Sequence, residues 1–193
     1  MLIYLHGFRS SPSSFKARLL AERMRRLGKG AQFVCPQLPA SPRQAVGLLK
    51  AMALVPADTL VGSSLGGYYA TYLAEATGAR AVLLNPATQP AEGLRGFVGR
   101  HTMFHSDEPF EFLPEYLDEL RAMTVPAITF PARYFLVAAK GDELLDWRDM
   151  VARYPGARHR VLEGSDHGLS DFEDYMDEVL AFAGIVQGES DRA

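Results

Sequence analysis

The sequence has little of several features that mark specialised classes of protein. It contains one cysteine, Cys35, among 193 residues, which excludes an internal disulfide and a multi-cysteine metal site. Its apolar stretches are far shorter than the roughly 20 residues that cross a bilayer. Neither positive nor negative charge dominates, because the chain has 20 Lys and Arg residues and 23 Asp and Glu residues. We therefore expect no membrane association, and no DNA or RNA as a partner.

What the chain does contain is the composition of a soluble globular domain. Hydrophobic residues make up 48% and charged residues 22% of it, and a chain of this length can bury a core without disulfides. The first five residues are apolar, but no basic residues precede them, so they predict a strand and not a signal peptide. We expect a cytoplasmic protein with one domain over residues 1–185 and a frayed tail over 186–193.

Short apolar runs alternate with stretches of helical periodicity along most of the chain. The predicted strands are residues 2–5, 32–35, 59–61, 81–84, 134–137 and 158–162. This alternation predicts an α/β fold with a doubly wound, mainly parallel six-stranded sheet and helices on both faces. In such sheets the active site lies at the carboxyl ends of the strands.

Two segments need separate interpretation. About fifty residues lie between the fourth and fifth predicted strands, with recurrent glycine and proline, so we predict a small helical, lid-like insertion over about 87–130 with one helix over 114–123. The first predicted helix carries a cluster of basic residues, namely Lys16, Arg18, Arg23, Arg25 and Arg26. We interpret that cluster as a solvated face, with an anion-binding site as the alternative.

The strongest chemical signal is a G-x-S-x-G motif over residues 62–66, between the third strand and the next helix. Glycines on both sides of Ser64 let the chain turn sharply and leave the hydroxyl exposed, as a nucleophile requires. Ser63 is the alternative hydroxyl, but it lacks the flanking glycines. A glycine-rich turn with a helix-capping serine would give the same pattern without any chemistry.

A serine nucleophile needs a base and an orienting carboxylate, in the chain order serine, acid, histidine. Of the five histidines, His167 follows the last predicted strand in a glycine-bearing loop, so it is the predicted base. Asp142 follows the fifth strand and is the predicted acid. Glu143 and Asp146 are alternatives, although Asp146 could cap the next helix. Asp166 is expected to point away from the neighbouring imidazole.

Acyl transfer also needs two backbone N–H donors for the oxyanion that forms on the carbonyl. The amide of Leu65, directly after the nucleophile, is one candidate. The loop after the first strand offers the amide of Phe8, because Gly7 allows a close backbone approach. We expect His6 to brace that loop by a hydrogen bond. Chemistry of this kind requires no cofactor and no metal ion.

Taken together, these motifs resemble the α/β-hydrolase superfamily and, within it, the small YqiA-like esterases. The blocks that carry the resemblance are residues 4–12, 61–70, 84–86, 141–146 and 163–167. The resemblance implies a catalytic triad of Ser64, Asp142 and His167, and a sheet that lacks two antiparallel strands of larger relatives. Ser165 departs from the pattern, because it stands where the resemblance implies a second glycine.

The predicted function is a serine hydrolase that acts on small carboxylic esters or thioesters. Two alternatives stay open. An acyltransferase would form the same acyl-enzyme and pass the acyl group to another acceptor, and a non-catalytic binding module would keep the fold alone. Apolar residues of the insertion could cover a small pocket, namely Phe97, Val98, Met103, Phe104 and Phe110, although such residues also form core. A small pocket predicts a preference for acyl groups of about four to six carbons.

Overall fold

A computed structural model describes residues 1–104 and 106–187. Its strands are β1 (Leu2–Leu5), β2 (Phe33–Val34), β3 (Thr59–Ser63), β4 (Arg80–Leu84), β5 (Gly99–Thr102), β6 (Pro109–Phe112), β7 (Tyr134–Ala139) and β8 (Arg158–Leu162). Its α-helices are α1 (Phe15–Arg26), α2 (Pro42–Lys50), α3 (Leu65–Thr77), α4 (Pro90–Gly93), α5 (Glu115–Arg121), α6 (Trp147–Arg153) and α7 (Met176–Phe182).

The main sheet contains six strands in the order β2-β1-β3-β4-β7-β8. Every pairing between neighbours in this sheet is parallel. Helices cover both faces, with α1 and α7 on one and α2, α3, α5 and α6 on the other. The predicted doubly wound α/β fold is confirmed, and the carboxyl ends of β1, β3, β4, β7 and β8 lie along one edge.

Burial on both faces explains why the strands are almost entirely apolar. In β1, Leu2 and Tyr4 pack on the face of α1 and α7, whereas Ile3 and Leu5 pack on the face of α2 and α3. All four side chains are at most 1% exposed. Because a side chain on either face enters a core, a central strand of this sheet shows a continuous apolar run.

The insertion is not purely helical, and this part of the prediction is wrong. Helix α5 is present as expected, but β5 and β6 form an antiparallel hairpin. The hairpin has no clear sequence pattern, because β5 consists of glycine and polar residues that contain no apolar run. The alternation of Phe110, Glu111 and Phe112 in β6 was the available signal, since Phe112 is buried in the core.

Smaller differences occur near the two ends of the chain. The second strand is limited to Phe33–Val34 because a 3₁₀ turn, Gly30–Gln32, precedes it. The final helix begins at Met176, directly after a 3₁₀ turn at Phe172–Asp174 and Tyr175. Val186 packs against the core on the α1 face, and residues 188–193 of the predicted tail lie outside the described part of the chain.

The basic residues of α1 do not share one environment. Arg18, Arg25 and Arg26 are exposed, as a solvated face predicts. Lys16 is only 7% exposed and lies against the cavity described below, so the interpretation as a solvated residue is wrong for Lys16.

No helix within the described residues is long and apolar enough to cross a membrane.

Candidate active site

Ser64 occupies a strained turn between β3 and α3. Its backbone has φ 53° and ψ −119°, a combination that non-glycine residues rarely adopt. Four backbone hydrogen bonds hold it there: the Ser64 N–H donates to the Leu84 carbonyl at 3.0 Å, and the Ser64 carbonyl accepts from Gly67 at 2.9 Å, Tyr68 at 3.4 Å and Ala87 at 3.0 Å. The turn is therefore fixed by the sheet and by the loop after β4.

The two flanking glycines are required by close backbone contacts. A Cβ added at Gly62 would lie 2.3 Å from the carbonyl oxygen of Gly66. A Cβ added at Gly66 would lie 2.0 Å from the carbonyl oxygen of Leu5, at the end of β1. Any side chain at either position would push the helix away from the strands, so the G-x-S-x-G pattern is a packing requirement of this turn.

His167 and Asp142 meet as predicted. Nδ1 of His167 lies 2.8 Å from Oδ2 of Asp142, whose side chain is fully buried. The other carboxylate oxygen, Oδ1, accepts the N–H groups of Leu144 at 2.8 Å and Leu145 at 2.9 Å. With both oxygens bonded, the carboxylate has a fixed direction, and it leaves Nε2 as the ring nitrogen available to a reacting group.

The alternative acids have other partners. Asp146 caps α6, where its side chain accepts the N–H of Arg148 at 2.8 Å. Asp166 accepts the N–H of Ser170 at 3.0 Å through Oδ1. Glu143 accepts the backbone N–H of His167 at 3.0 Å and so holds the loop rather than the ring. Asp142 is thus the acid whose carboxylate contacts the imidazole.

Asn85, at the end of β4, anchors the loop that carries His167. Its buried side chain donates to the carbonyls of Asp166 at 3.0 Å and His167 at 3.2 Å, and its oxygen accepts the Ala139 N–H at 2.9 Å. Sequence analysis gave this residue no role of its own. Its only signal was the residue block 84–86 of the family resemblance.

The histidine loop also approaches the acid loop closely. A Cβ added at Gly141 would lie 2.2 Å from the carbonyl oxygen of Ser165. Ser165 has a φ of 67°, in the left-handed region that favours glycine. This explains why a glycine was expected there, and the hydroxyl of Ser165 offsets part of the strain by donating to a carboxylate oxygen of Asp171.

The loop after β1 brings a second backbone segment close to Ser64. A Cβ added at Gly7 would lie 3.3 Å from Cβ of Ser64 and 3.8 Å from its Oγ. Within the described residues, neither the Phe8 N–H nor the Leu65 N–H has a hydrogen-bond acceptor. Neither of the two predicted oxyanion donors is therefore used in a hydrogen bond of the fold itself, as far as residues 1–104 and 106–187 show.

His6 braces this loop, as its position suggested. Nδ1–H donates to the Gly7 carbonyl at 3.0 Å, and Nε2 accepts the Leu38 N–H at 3.0 Å. Burial lowers the pKa of His6, although the Gly7 carbonyl acts in the opposite direction. Its two hydrogen bonds require the neutral ring with the proton on Nδ1, which leaves no nitrogen for proton transfer.

Ser64 and His167 line one cavity of about 940 Å³. Phe97 and Phe104 of the insertion contribute to its roof, whereas Phe110 packs edge-on against Phe8 with ring centroids 5.1 Å apart. No hydrogen bond joins the Ser64 hydroxyl to the His167 ring within the residues described. Catalytic contacts of this kind commonly tighten when substrate binds.

The hairpin of the insertion is fastened to the loop after β1. The Phe104 N–H donates to the Arg9 carbonyl at 2.8 Å. Nε of Arg9 donates to the Thr102 carbonyl at 2.6 Å, and its guanidinium lies 4.6 Å from the centre of the Phe104 ring. Arg9, which directly follows the predicted oxyanion donor Phe8, thereby attaches the hairpin of the insertion to the loop after β1.

The amino-acid sequence is similar to one family of known proteins. A family model described as "Uncharacterised protein family (UPF0227)" matches residues 1–184. A UPF0227 protein of Shewanella baltica is 32% identical over 114 residues, which cover 52% of this chain and 58% of that relative. The match thus spans less than two thirds of the relative's length.

Two solved structures illustrate the structural likeness. Mouse alpha/beta hydrolase domain-containing protein 10 has a TM-score of 0.66 at 16% identity, with 92% of this chain and 90% of that chain covered. The esterase domain of a Rhodothermus marinus protein has a TM-score of 0.62 at 22% identity, with 94% and 85% covered. At such identities the likeness establishes the α/β-hydrolase fold.

Proposed function

The chain belongs to the UPF0227 family, and from that membership and the geometry of the site we propose that it is a serine hydrolase of carboxylic esters or thioesters. Ser64 is the nucleophile, His167 the base and Asp142 the orienting acid. The amides of Phe8 and Leu65 bind the oxyanion. One observation carries the proposal: the strained Ser64 turn and the Asp142-bonded His167 line the same cavity.

In the acylation step, the Ser64 hydroxyl oxygen attacks the carbonyl carbon of the substrate. Nε2 of His167 accepts the hydroxyl proton, and the buried Asp142 carboxylate stabilises the imidazolium that results. The imidazolium then donates this proton to the leaving oxygen or sulfur as its bond to the carbonyl carbon breaks. The acyl group remains bonded to Oγ of Ser64.

Deacylation repeats the same steps with water. Nε2 of His167 accepts a proton from a water molecule, whose oxygen attacks the acyl carbonyl carbon. The bond to Ser64 Oγ breaks, His167 returns the proton to that oxygen, and the carboxylic acid leaves. In both steps the negative charge that forms on the carbonyl oxygen is stabilised by the Phe8 and Leu65 N–H groups.

The cavity changes the expectation about substrate size. The preference for acyl groups of four to six carbons rested on a small pocket, and a volume of about 940 Å³ lies near the upper end of the range for ligand sites. Phe97 and Phe104 line the roof with apolar surface that an acyl or alcohol group can cover. We therefore propose a wider range of esters than the length of the insertion suggested.

A fluorophosphonate probe tests the nucleophile directly, because it reacts covalently with an activated serine. The wild-type protein should be labelled, and Ser64→Ala should abolish both labelling and ester hydrolysis. Ser63→Ala is the matched control, since it removes the neighbouring hydroxyl from the same turn, and it should still be labelled. Labelling that survives in Ser64→Ala and disappears in Ser63→Ala would assign the chemistry to the other serine.

A further inference from the structure

One wall of the cavity is polar, in contrast to its apolar roof. It lies where α1 begins and includes the side chains of Tyr4, Ser14 and Lys16. Gly168, directly after His167, belongs to the same wall. None of the polar side chains of this wall has a part in the mechanism described above.

Lys16 is a buried cation without a counter-ion. It is only 7% exposed, and within the described residues no carboxylate oxygen lies within 4.0 Å of its ammonium nitrogen. Nζ donates to the Gly168 carbonyl, which uses one of its three N–H donors. Burial lowers the pKa of Lys16 to about 8, although the more distant charges of Asp166 and Asp142 oppose that change.

Two hydroxyl groups lie on the same wall of the cavity as Lys16. Tyr4 is 1% exposed; burial raises the pKa of its hydroxyl, and the neighbouring hydroxyls of Ser63 and Ser14 oppose that change. Oγ of Ser14 is buried without a hydrogen-bond partner in the described chain. Helix α1 has no acidic residue in its first turn, so the positive end of its dipole adds to the charge of Lys16.

We propose that Lys16, Tyr4 and Ser14 form a subsite for a carboxylate group of the substrate. The inference rests on the proposed function, because it assigns the substrate class of the same active site. A carboxylate would accept hydrogen bonds from the free ammonium donors and from both hydroxyls, and it would supply the missing counter-charge. The preferred substrates are then esters or thioesters that carry an anionic group in addition to the bond that is cleaved.

A purely structural lysine does not account for these observations. Burial of an ammonium is unfavourable unless it is paired and hydrogen-bonded, and holding the Gly168 carbonyl needs only one neutral donor. The buried Ser14 hydroxyl on the same wall, which has no hydrogen-bond partner in the described chain, raises the same question. An anion that enters from the cavity satisfies the ammonium of Lys16 and the hydroxyl of Ser14 at once, and it can also accept a hydrogen bond from Tyr4.

The kinetic test uses two p-nitrophenyl esters of similar size that differ in charge, the hemisuccinate and the pentanoate. For the wild type we expect kcat/KM to favour the hemisuccinate, and Lys16→Met should reduce that preference by about 10- to 100-fold. A second pair, 4-butyryloxybenzoate and its methyl ester, carries the charge on the leaving group and shows which side of the substrate the subsite holds. Lys50→Met, on an exposed lysine of α2, is the matched control and should preserve both preferences.

Milder variants address the possibility that Lys16→Met disturbs the histidine loop. Tyr4→Phe and Ser14→Ala each remove one hydroxyl and leave the ammonium in place, and each should reduce the preference by about 3- to 10-fold. Equal losses on the charged and the neutral ester in all three variants would overturn the subsite and leave a structural role. A charge preference that Lys16→Met leaves unchanged would overturn the subsite as well.

A binding measurement separates the subsite from the proposed activity. In the Ser64→Ala background, which cannot form an acyl-enzyme, monomethyl succinate should raise the melting temperature and the neutral dimethyl succinate should not. Adding Lys16→Met should abolish the difference. Equal responses to the two ligands overturn the subsite even if esterase activity is found, and a selective response supports it even if no ester is hydrolysed.

Discussion

The two sides of the cavity differ in how the fold holds them. On the strand side, Ser64 is fixed by four backbone hydrogen bonds and Gly66 by a contact that admits no Cβ. On the roof side, the hairpin of the insertion is tied to the loop after β1 through Arg9, and Phe104 is 58% exposed. In the proposed mechanism the sheet therefore preorganises Ser64, and we propose that the more weakly attached insertion selects the substrate.

The largest effect should come from the strand side, through the carboxylate of Asp142. Asp142→Asn is expected to lower kcat by about 10³- to 10⁴-fold, because an amide favours the wrong tautomer of His167. Asp146→Asn is the matched control: asparagine is also a good helix cap, so kcat and stability should change little. Steady-state kinetics of the two variants with one aryl ester measures both kcat values. A large loss in Asp146→Asn and little change in Asp142→Asn would assign the orienting acid to Asp146.

The glycines offer a comparison of the two sides in terms of stability. Gly66→Ala should reduce the free energy of unfolding by about 4 kcal/mol or more, since its Cβ would meet the Leu5 carbonyl at 2.0 Å. Gly96→Ala in the insertion, where nothing lies within 4 Å of a new Cβ, should change it by about 0.5 kcal/mol or less. Urea unfolding measures the free energy of unfolding of both variants. Similar losses in the two would contradict the difference between the strand side and the insertion.

Asn85 tests whether the histidine loop needs its anchor. Asn85→Ala removes three hydrogen bonds and leaves buried groups unpaired, so we expect a loss of about 2–4 kcal/mol in the free energy of unfolding. The rate of ester hydrolysis should fall as well, because His167 loses support on its backbone. An unchanged melting temperature and rate would show that Glu143 alone suffices to hold the loop.

The pH dependence of Lys16 sharpens the contrast between the polar wall and the roof. Its pKa is about 8 in the folded chain against an ordinary value of 10.5, and the charges of Asp166 and Asp142 act on it. Tyr4 and His167 line the same cavity. The preference for the charged ester should therefore fall as pH rises from 7 to 9, when the ammonium loses its proton. Changes in His167 or Asp142 act on both esters and cancel in the ratio of the two kcat/KM values.

The same pKa sets the sign of a stability effect. Between pH 8 and pH 10.5 the folded chain binds fewer protons at Lys16 than the unfolded chain does, so this residue makes stability rise with pH across that window. Relative to Lys16→Met, the wild type should gain stability over those pH values. A flat difference would contradict the lowered pKa.

The smallest effect is expected at the fastening of the roof. Arg9→Ala removes the bond to Thr102 and the contact with Phe104, both near the surface, so the free energy of unfolding should change by about 1 kcal/mol or less. The relative kcat/KM values of short and long acyl esters should shift by about 2- to 5-fold, while fluorophosphonate labelling keeps its rate. An unchanged acyl-length profile would show that the hairpin does not select substrate.

Sequence patterns were sufficient wherever a local rule determines the structure. Apolar runs located the main strands, and the glycines around Ser64 located the turn, because both depend on neighbours in the chain. The meeting of His167 with Asp142 followed from the order of strand ends. The hairpin was not predicted because β5 is short and polar. The cytoplasmic location of the protein stays a prediction.

Other features depend on contacts between distant segments, which periodicity does not encode. Asn85 reaches backbone groups of residues 139, 166 and 167, and nothing in its local sequence indicates those partners. Lys16 occupies a helical position that looks solvated among four arginines, yet it bonds to Gly168, 152 residues later. The proposed carboxylate subsite therefore depends on contacts that only the three-dimensional arrangement reveals.

Direct observation of the acyl-enzyme tests whether Ser64 is the nucleophile of an ester hydrolase. The protein is mixed with excess p-nitrophenyl ester, quenched in acid within the first turnovers, digested and analysed by mass spectrometry. We predict that the peptide with Ser64 gains the mass of one acyl group, that fragmentation places this mass on Ser64 and not Ser63, and that Asp142→Asn slows its appearance. Ester hydrolysis with the acyl group on another residue would contradict the proposed mechanism.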